Sequence, residues 1–320
     1  MSLQVENLTV YYQTLRGPVH ALENATFDLA DGEIMGLAGE SGCGKTTLGH
    51  ALIRLVAPMK FIQGGVRLDG TELPIADTQR MDDFRFRKVS IIPQYAMNAL
   101  NPTRKIGRMT KELVTSRSFD WDAILPELRR RLDMVELSPD VLDMYPFELS
   151  GGMKQRMVLV LSTLANPSLL IADEITSALD VASQMAVAQL LVEFRNRECC
   201  NSAMVITHDL SILYQVADSI LIMYAGQLCE KASSETIIRS PGHPYTRLLI
   251  SSLPQVGVRH AERRLASIPG SPPQLLQPPA GCRFRDRCPL AFEKCLQVPP
   301  FLELTPDHFV ACWKATGPHA

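Results

Sequence analysis

The sequence predicts an α/β fold built on a parallel β-sheet, and three observations carry this prediction. Continuous apolar runs, typical of strands buried on both faces, recur at residues 34–38, 169–172, 203–207 and 219–223. Segments with helical periodicity lie between these runs, at residues 46–56, 183–198 and 210–216. The first apolar run leads directly into a Gly-rich loop. Because strands that alternate with helices usually pair in parallel, we expect a parallel sheet.

The remaining parts of the chain differ in character. Residues 5–12 and 25–29 are rich in β-forming residues, and residues 80–148 are more polar, with a helical segment at 123–135. Pro-rich stretches appear after about residue 240, for example at residues 271–273 and 277–279. We therefore place a boundary near residues 240–255 and expect a small, loop-rich extension beyond it. No internal repeat is visible.

Composition excludes some classes of function. The chain has 320 residues, of which 46% are hydrophobic, and its 32 Lys and Arg residues nearly balance 34 Asp and Glu residues. No global positive field favours nucleic acid or an anionic membrane. No apolar run approaches the roughly 20 residues of a transmembrane helix, and the first ten residues lack the pattern of a signal peptide. We expect a cytoplasmic protein whose membrane role, if it has one, depends on partners.

The Gly-rich loop matches the phosphate-binding pattern G-x-x-x-x-G-K-[ST] at every fixed position. Its glycines let successive backbone N–H groups face phosphate oxygens, Lys45 neutralises the β- and γ-phosphates, and the Thr46 hydroxyl holds Mg²⁺. The alternative is an ordinary Gly-rich turn before a helix. Cys43 is either a reactive thiol or simply a small residue tolerated in the loop. The residues expected to contact ATP are Gly39, Glu40, Ser41, Gly42, Cys43, Gly44, Lys45, Thr46 and Thr47.

Two carboxylates follow the apolar run at 169–172. Asp173 is placed to reach Mg²⁺ directly or through water, and Glu174 is placed to polarise an attacking water as a general base. An apolar strand that ends in acidic residues is common by chance. Its position about 130 residues after a phosphate loop, within an α/β pattern, makes the assignment specific.

A third motif, at residues 149–156, reads Leu-Ser-Gly-Gly-Met-Lys-Gln-Arg. Read alone, it is a helix capped by Ser150, but it resembles the signature of the ABC ATPases, L-S-G-G-x-x-Q-R, without a mismatch. The resemblance implies a parallel-sheet core, an antiparallel β-subdomain and a helical subdomain at about residues 95–165, all within an ATPase domain of residues 1–250. It also implies that the signature contacts ATP bound to a second subunit, through Ser150, Gly151, Gly152 and Gln155.

The same resemblance assigns roles elsewhere along the chain. Gln94 resembles the glutamine that reaches Mg²⁺ and water and couples to the membrane partner, with residues 95–104 receiving the permeases' coupling helices. His208 resembles the switch histidine, Asp180 belongs to the loop that crosses the dimer interface, and Tyr12, rather than Tyr11, resembles the aromatic that stacks on adenine. Glu174 is followed by Ile175 where the family usually has proline, so the loop geometry there is an open point.

The C-terminal part narrows the resemblance. Residues 242–249 (GHPYTRLL) and 268–289 resemble the ATPases of oligopeptide and dipeptide importers. This implies MgATP hydrolysis that powers peptide import, with a paralogous second ATPase subunit, two permease subunits and an extracytoplasmic binding protein as partners. Related members import nickel chelates or oligosaccharides. A soluble ABC ATPase and a metal-cluster sensor are the competing hypotheses, but the chain has one ATPase unit, no long coiled coil and intact Glu174 and His208.

Four of the eight cysteines crowd the extension, at Cys282, Cys288, Cys295 and Cys312. Their C-x5-C-x6-C-x16-C spacing matches neither a ferredoxin nor a C-x2-C zinc ribbon, so spacing alone leaves zinc, an iron–sulfur cluster and free thiols open. The family resemblance favours a [4Fe–4S] cluster. In an extension with little core of its own, we expect such a cluster to act as a structural staple.

Overall fold

A computed structural model describes residues 2–94, 98–175, 181–252 and 268–315 of the chain, and for residues 181–183 it describes the backbone alone. The strands are β1 (Leu3–Thr14), β2 (Gly17–Leu29), β3 (Ile34–Ala38), β4 (Met59–Leu68), β5 (Thr71–Glu72), β6 (Val89–Ile92), β7 (Leu169–Asp173), β8 (Ser202–Ile206), β9 (Ser219–Tyr224), β10 (Gln227–Ser233), β11 (Leu302–Thr305) and β12 (His308–Val310). The helices are α1 (Lys45–Ala51), α2 (Ile106–Ser116), α3 (Trp121–Met134), α4 (Gly151–Thr163), α5 (Val181–Asn196), α6 (Leu210–Val216), α7 (Ser234–Arg239) and α8 (Pro244–Ser251).

The predicted parallel sheet is present at the centre of the fold. Its strand order is β11-β12-β10-β9-β3-β8-β7-β6, and the pairs from β9 to β6 are all parallel. Each of its four apolar runs is buried along its whole length, with alternate residues facing different cores. In β7, Leu170 belongs to the core on one face, whereas Leu169 and Ile171 belong to the core on the other. Burial on both faces is the physical reason why these strands are continuously apolar.

A second, four-stranded antiparallel sheet has the order β2-β1-β4-β5. Its inward residues, such as Leu8 and Phe27, share one apolar core with Leu48 of α1 and with Ile171 of the main sheet. The N-terminal strands are longer than the β-rich segments in the sequence indicated, since β1 and β2 span 12 and 13 residues. The antiparallel sheet thus lies over α1 and one face of the main sheet.

Helices cover the opposite face of the main sheet. The helical region predicted within residues 95–165 contains α2, α3 and α4, whose apolar residues share a core with Leu170 of β7. Helix α3 begins after Asp120, whose carboxylate accepts a hydrogen bond from the backbone N–H of Asp122. Helix α4 begins after Ser150, so the start of the signature motif is the start of a helix.

The C-terminal extension differs from the prediction in one respect. Much of it is irregular, as expected, but β11 and β12 form a hairpin that extends the main sheet, with Val310 opposite Glu230 of β10. Phe284 lies in the same apolar core as the helical face of the sheet. Edge strands this short have little apolar pattern of their own, so the sequence did not show them. No helix in the described ranges is long and apolar enough to cross a membrane.

Candidate functional site

The Gly-rich loop lies between the end of β3 and the start of α1, and two of its glycines have no room for a side chain. Gly39 has φ of +146°, and a Cβ there would lie 2.1 Å from the carbonyl oxygen of Met223. Gly44 has φ of +107°, and its Cβ would lie 2.2 Å from the carbonyl oxygen of Ala21. The loop is therefore held tightly against β9 and β2. Ser41 and Gly42, at its crest, are exposed.

Lys45 lies across the inside of this loop. Its ammonium donates hydrogen bonds to the carbonyl oxygens of Gly39 (2.8 Å) and Glu40 (3.1 Å), and the residue is only 6% exposed. A cation is thus fixed where the pattern G-x-x-x-x-G-K-[ST] places the phosphates. Cys43 is buried, which raises the pKa of its thiol. Because a reactive cysteine needs an accessible thiolate, Cys43 is the small, tolerated residue of the two alternatives.

Thr46 and Asp173 meet at the end of the loop, as a magnesium site requires. The Thr46 hydroxyl lies 3.3 Å from Oδ1 of Asp173, and Asp173 is fully buried. Burial raises the pKa of Asp173 to about 6, and its Oδ2 has no hydrogen-bond partner. A buried carboxylate oxygen without a partner, beside a hydroxyl, fits the hard oxygen ligands that Mg²⁺ prefers.

Glu174 stands next to this pair and is held by two neighbours. Its Oε2 accepts a hydrogen bond from Nε2 of Gln94 (2.6 Å), and its Oε1 lies 3.7 Å from Nδ1 of His208. The Glu174 backbone adopts φ of +46°, with its N–H donating to the carbonyl of Ile206 (2.9 Å). The imidazole of His208 is largely exposed, whereas the Glu174 carboxylate is mostly buried. Gln94 therefore contacts Glu174, rather than Thr46 or Asp173, in this structure.

These groups converge because of the sheet topology. Gly39, Gln94, Glu174 and His208 each follow the carboxyl end of a parallel strand, namely β3, β6, β7 and β8, which are neighbours in the sheet. Ligands of open α/β sheets bind at this edge. The structure thus brings together the residues that the sequence assigned to one site although up to 169 positions separate them along the chain.

Ile175, which replaces the proline usual in the family, is buried, and its carbonyl accepts a hydrogen bond from Nε2 of Gln155 (3.1 Å). Gln155 is 6% exposed, and its Oε1 has no hydrogen-bond partner. The signature glutamine thus binds the backbone beside Glu174 in its own chain instead of facing outward. This contact was not expected from the sequence, in which Gln155 was grouped with residues that reach a second subunit.

The start of the signature helix lies at the surface of the protein. Ser150 is exposed, and its hydroxyl accepts a hydrogen bond from the N–H of Met153 (3.3 Å). Gly151 is half-buried, and a Cβ built on Gly152 would have no neighbour within 4 Å. Within the described residues, no hydrogen bond joins the signature to the phosphate loop of the same chain.

The two candidate tyrosines point to different neighbours. The Tyr12 hydroxyl lies 3.1 Å from that of Thr47, directly behind the phosphate loop. The Tyr11 ring packs against His20 with ring centroids 4.2 Å apart and a tilt of 37°, and its hydroxyl donates to Glu23 (2.8 Å). Burial and this carboxylate raise the pKa of Tyr11 to about 12. Tyr12 is therefore the tyrosine placed beside the loop. Asp180 and residues 95–97 lie outside the described residues.

The four clustered cysteines line one small cavity together, with Phe284 and Trp313 among its other walls. The backbone N–H of Cys282 donates to the carbonyl of Cys295 (3.0 Å), and burial raises the pKa of the Cys282 thiol to about 11. None of the eight cysteines, all within the described ranges, forms a disulfide. Even so, the described residues include no group of three or more His, Cys, Asp or Glu side chains arranged so that it could hold a metal ion. The thiols share a cavity without the spacing of a formed metal site.

Sequence reasoning did not anticipate that the extension contacts the phosphate loop. Glu40 of the loop pairs with Arg287 and donates its backbone N–H to the Tyr245 hydroxyl. Tyr245 lies in the GHPYTRLL motif and Arg287 immediately precedes Cys288. Glu40 and Arg287 lie 247 residues apart, so no spacing or periodicity in the sequence indicates that they are in contact. The sequence showed only that the motifs at residues 242–249 and 268–289 are present.

Two family profiles and many curated relatives match this chain. The profile of a family described as ABC transporter matches residues 22–177, and that of "Oligopeptide/dipeptide transporter, C-terminal region" matches residues 229–295. The dipeptide transport ATP-binding protein DppD of Caldanaerobacter subterraneus subsp. tengcongensis is 35% identical, over 97% of this chain and 96% of its own length. The oligopeptide transport ATP-binding protein OppD of Escherichia coli K12 is 37% identical, over 98% and 93%.

Solved structures show the same fold. A dimeric ATP-binding cassette, MJ0796, bound to ADP and Pi, aligns with a TM-score of 0.63 at 22% identity, covering 72% of this chain and 98% of the cassette. A second structure, cbiO1 from Clostridium perfringens, aligns with a TM-score of 0.62 at 20% identity, and the alignment covers 74% of this chain and 90% of cbiO1. At these identities the likeness concerns the fold alone.

Proposed function

This chain belongs to the ABC transporter ATP-binding proteins of the oligopeptide/dipeptide group, and from that premise we propose that its motifs form one MgATP-hydrolysing site completed by a second ATPase subunit. The family, the fold and the ATPase activity predicted from the motifs are confirmed. So is the role of the chain as the ATPase subunit of a peptide importer. The roles of individual residues are the content of the proposal.

The observation that carries the proposal is the convergence of Lys45, Thr46, Asp173 and Glu174 at one edge of the sheet. The loop amides and Lys45 bind the phosphates, and Tyr12 stacks on adenine. Thr46 and Asp173 hold the metal, whose charge offsets that of the phosphates when Mg²⁺ is bound. Oδ2 of Asp173, which is buried and has no hydrogen-bond partner within the protein, would be a ligand of Mg²⁺.

Glu174 is the general base in this proposal. Gln94 donates to one of its carboxylate oxygens, which leaves the other, near His208, to accept a proton from water. His208 is exposed enough to contact the γ-phosphate and fix the direction of attack. Gln94 orients Glu174 and, through residues 95–104, connects the site to the permease.

The second subunit supplies the other half of the site. Ser150, Gly151 and Gly152 form a helix start in which Ser150 is exposed and both glycines are half-buried. None of the three hydrogen-bonds to the phosphate loop of its own chain, as expected if they cap ATP on a neighbour. Asp180 belongs to the same interface. We propose a paralogous ATPase as this neighbour, two permeases above the pair at the cytoplasmic face of the membrane, and an extracytoplasmic protein that delivers peptide. Nickel chelates and oligosaccharides are the alternative cargoes.

The test is the substitution Glu174→Gln in the complex with its partner subunits. Loss of a general base should lower kcat by roughly 10²–10⁴-fold while MgATP still binds, so that closed, ATP-loaded dimers accumulate. Glu235→Gln, in an exposed carboxylate paired with Arg239, is the control and should leave turnover unchanged. Turnover within twofold of the unaltered complex for Glu174→Gln would exclude the general-base role.

We further propose that Cys282, Cys288, Cys295 and Cys312 bind a [4Fe–4S] cluster that staples the extension. The support is that all four line one cavity in a segment with little core of its own; their present spacing requires the thiols to draw together on binding. Anaerobically purified protein should contain iron and absorb at roughly 400 nm, and Cys288→Ser should lose both, whereas Cys200→Ser should keep both. Colourless protein that contains zinc, or no metal, would refute the cluster.

A further inference from the structure

We propose that Arg287 is a positioning residue for the phosphate loop, so that the cysteine-bearing extension sets how tightly the site holds MgATP. Arg287 acts through Glu40, the second residue of the loop. This inference rests on the proposed ATP site and adds to it a residue from a part of the chain that the motifs do not connect with nucleotide.

The Arg287–Glu40 contact is a two-pronged ion pair. Nη1 of Arg287 donates to Oε2 of Glu40 (2.6 Å), and Nη2 donates to Oε1 (2.9 Å). The arginine side chain is 6% exposed and the glutamate side chain 23%, so water screens the pair only in part. A planar guanidinium facing a carboxylate in this way fixes orientation as well as distance.

The guanidinium is itself held from the other side. Its Nη1 also donates to the Tyr224 hydroxyl (3.0 Å), and its Nε donates to the carbonyl of Pro269 (2.7 Å). Tyr224 is the last residue of β9, the strand against which Gly39 packs. Arg287 therefore ties the loop to both the sheet and the extension, and it has little freedom to follow Glu40 if the loop moves.

Glu40 is fixed at its backbone as well. Its N–H donates to the hydroxyl of the fully buried Tyr245 (2.9 Å), and its carbonyl accepts from the ammonium of Lys45 (3.1 Å). The same residue thus receives Arg287 on its side chain and Lys45 on its carbonyl. A change in the orientation of Glu40 would displace an acceptor that holds the phosphate-binding lysine.

The link continues to the cysteines through a short 3₁₀ turn, Arg285–Arg287. The N–H of Arg287 donates to the carbonyl of Phe284 (3.0 Å), and the N–H of Cys288 donates to the carbonyl of Arg285 (3.2 Å). The guanidinium that holds the loop and the thiol of Cys288 therefore belong to one hydrogen-bonded turn. Any change that reshapes this turn reaches Glu40 through a single side chain.

Two arginines that lie close to Arg287 in the sequence, Arg283 and Arg285, serve as matched controls. Arg283 is also buried and bridges to the ATPase domain, but it binds Glu23 and the carbonyl of Ala225 rather than the loop. Arg285, in the same turn as Arg287, pairs with its neighbour Asp286 near the surface. The substitution Arg283→Gln tests whether a loosened extension by itself alters nucleotide binding. The substitution Arg285→Gln tests whether the loss of a positive charge from the turn alters it.

The test is the steady-state ATPase kinetics of the full complex carrying Arg287→Gln. We expect KM for MgATP to rise about tenfold, equivalent to about 1.4 kcal/mol, with kcat changed by less than twofold, because Arg287 touches neither Glu174 nor His208. Arg287→Lys, which keeps the charge but not the two-pronged geometry, should give a smaller rise of about threefold. Arg285→Gln should change neither constant.

Glu40→Gln keeps the proposal falsifiable if Arg287→Gln folds poorly. It should raise KM by a similar factor, and the double variant should be no worse than the worse single variant, because both changes remove one contact. Equal rises in KM for Arg283→Gln and Arg287→Gln, or additive effects in the double variant, would overturn the proposal.

The substitution Lys45→Ala distinguishes failure of the positioning role of Arg287 from failure of the proposed ATP site. If Lys45→Ala abolishes binding of a fluorescent ATP analogue while Arg287→Gln leaves affinity unchanged, the site stands and the positioning role of Arg287 fails. If Lys45→Ala binds the analogue normally, the proposed site itself is wrong.

Discussion

Replacing Gly39 by alanine tests whether the phosphate loop has the tight packing seen in the structure. The new Cβ would lie 2.1 Å from the carbonyl oxygen of Met223 and 2.9 Å from Sγ of Cys43. Met223 lies within a fully buried central strand, so its carbonyl has little room to retreat and the loop must shift instead. The residue also has φ of +146°, a value that L-residues rarely adopt and that costs them about 1–3 kcal/mol.

Together the clash and the backbone strain should cost about 3 kcal/mol, within the range typical of overpacking and special backbone positions. For a domain of this size, that corresponds to a fall in Tm of roughly 6–12 °C. Gly42→Ala is the matched control. Gly42 also has positive φ, +77°, but its Cβ would meet no atom within 4 Å, so only the backbone cost of about 1 kcal/mol applies.

The assay is thermal unfolding with and without MgATP, followed by far-UV circular dichroism, for both variants and the unaltered protein. Gly39→Ala should lose at least twice as much Tm as Gly42→Ala, and it should also lose MgATP-dependent stabilisation because Lys45 hydrogen-bonds to the Gly39 carbonyl. Equal losses in the two variants would refute the argument that close approach to β9, rather than φ alone, requires glycine at position 39.

Two further predictions concern residues outside the loop. Gln155→Leu removes the donor to the buried Ile175 carbonyl and should cost about 1–3 kcal/mol of stability; it should also lower kcat, since Ile175 adjoins Glu174. Denaturant unfolding and turnover measure the two effects, and normal values for both would show that the contact is dispensable. Glu127→Gln removes the carboxylate partner of Arg130 and of the buried Arg131, whose hydrogen bonds lower the Glu127 pKa to about 2. Because this folded-state pKa lies below the unfolded value of 4.5, the ionised carboxylate stabilises the protein above pH 4.5 and loses this effect as pH falls towards 2. With partial exposure taken into account, the variant should be about 2 kcal/mol less stable at pH 7, and the gap should narrow below pH 4.5; a gap independent of pH would contradict the assignment.

Much of the fold was predictable because its central strands are buried on both faces. Leu170 and Ile171 point into different cores, so positions 169–172 of β7 must be apolar and the run is visible in the sequence. The hairpin β11–β12 was not predictable. Its strands are short and lie at the sheet edge, and Leu302 and Glu303 are exposed, so burial imposes no pattern on them.

The functional site likewise combines features that the sequence predicts with contacts that only the fold shows. Residues within one motif, such as Lys45 and Thr46, must be neighbours in sequence because a single turn of backbone presents them to phosphate. The contact of Gln94 with Glu174 joins positions 80 residues apart and follows from the order of β6 and β7 in the sheet. The family resemblance supplied both roles, but the 2.6 Å hydrogen bond between them was visible only in the fold.

The sequence by itself determined the class of the protein, because local backbone geometry, phosphate binding and two-sided burial each leave a short, contiguous pattern. Only the tertiary structure decided that Gln155 turns inward to Ile175 and that Arg287 holds Glu40. The physical reason is that a charged or amide side chain can pair with any complementary group within reach. Which group that is depends on the packing of distant segments, not on the residues beside it.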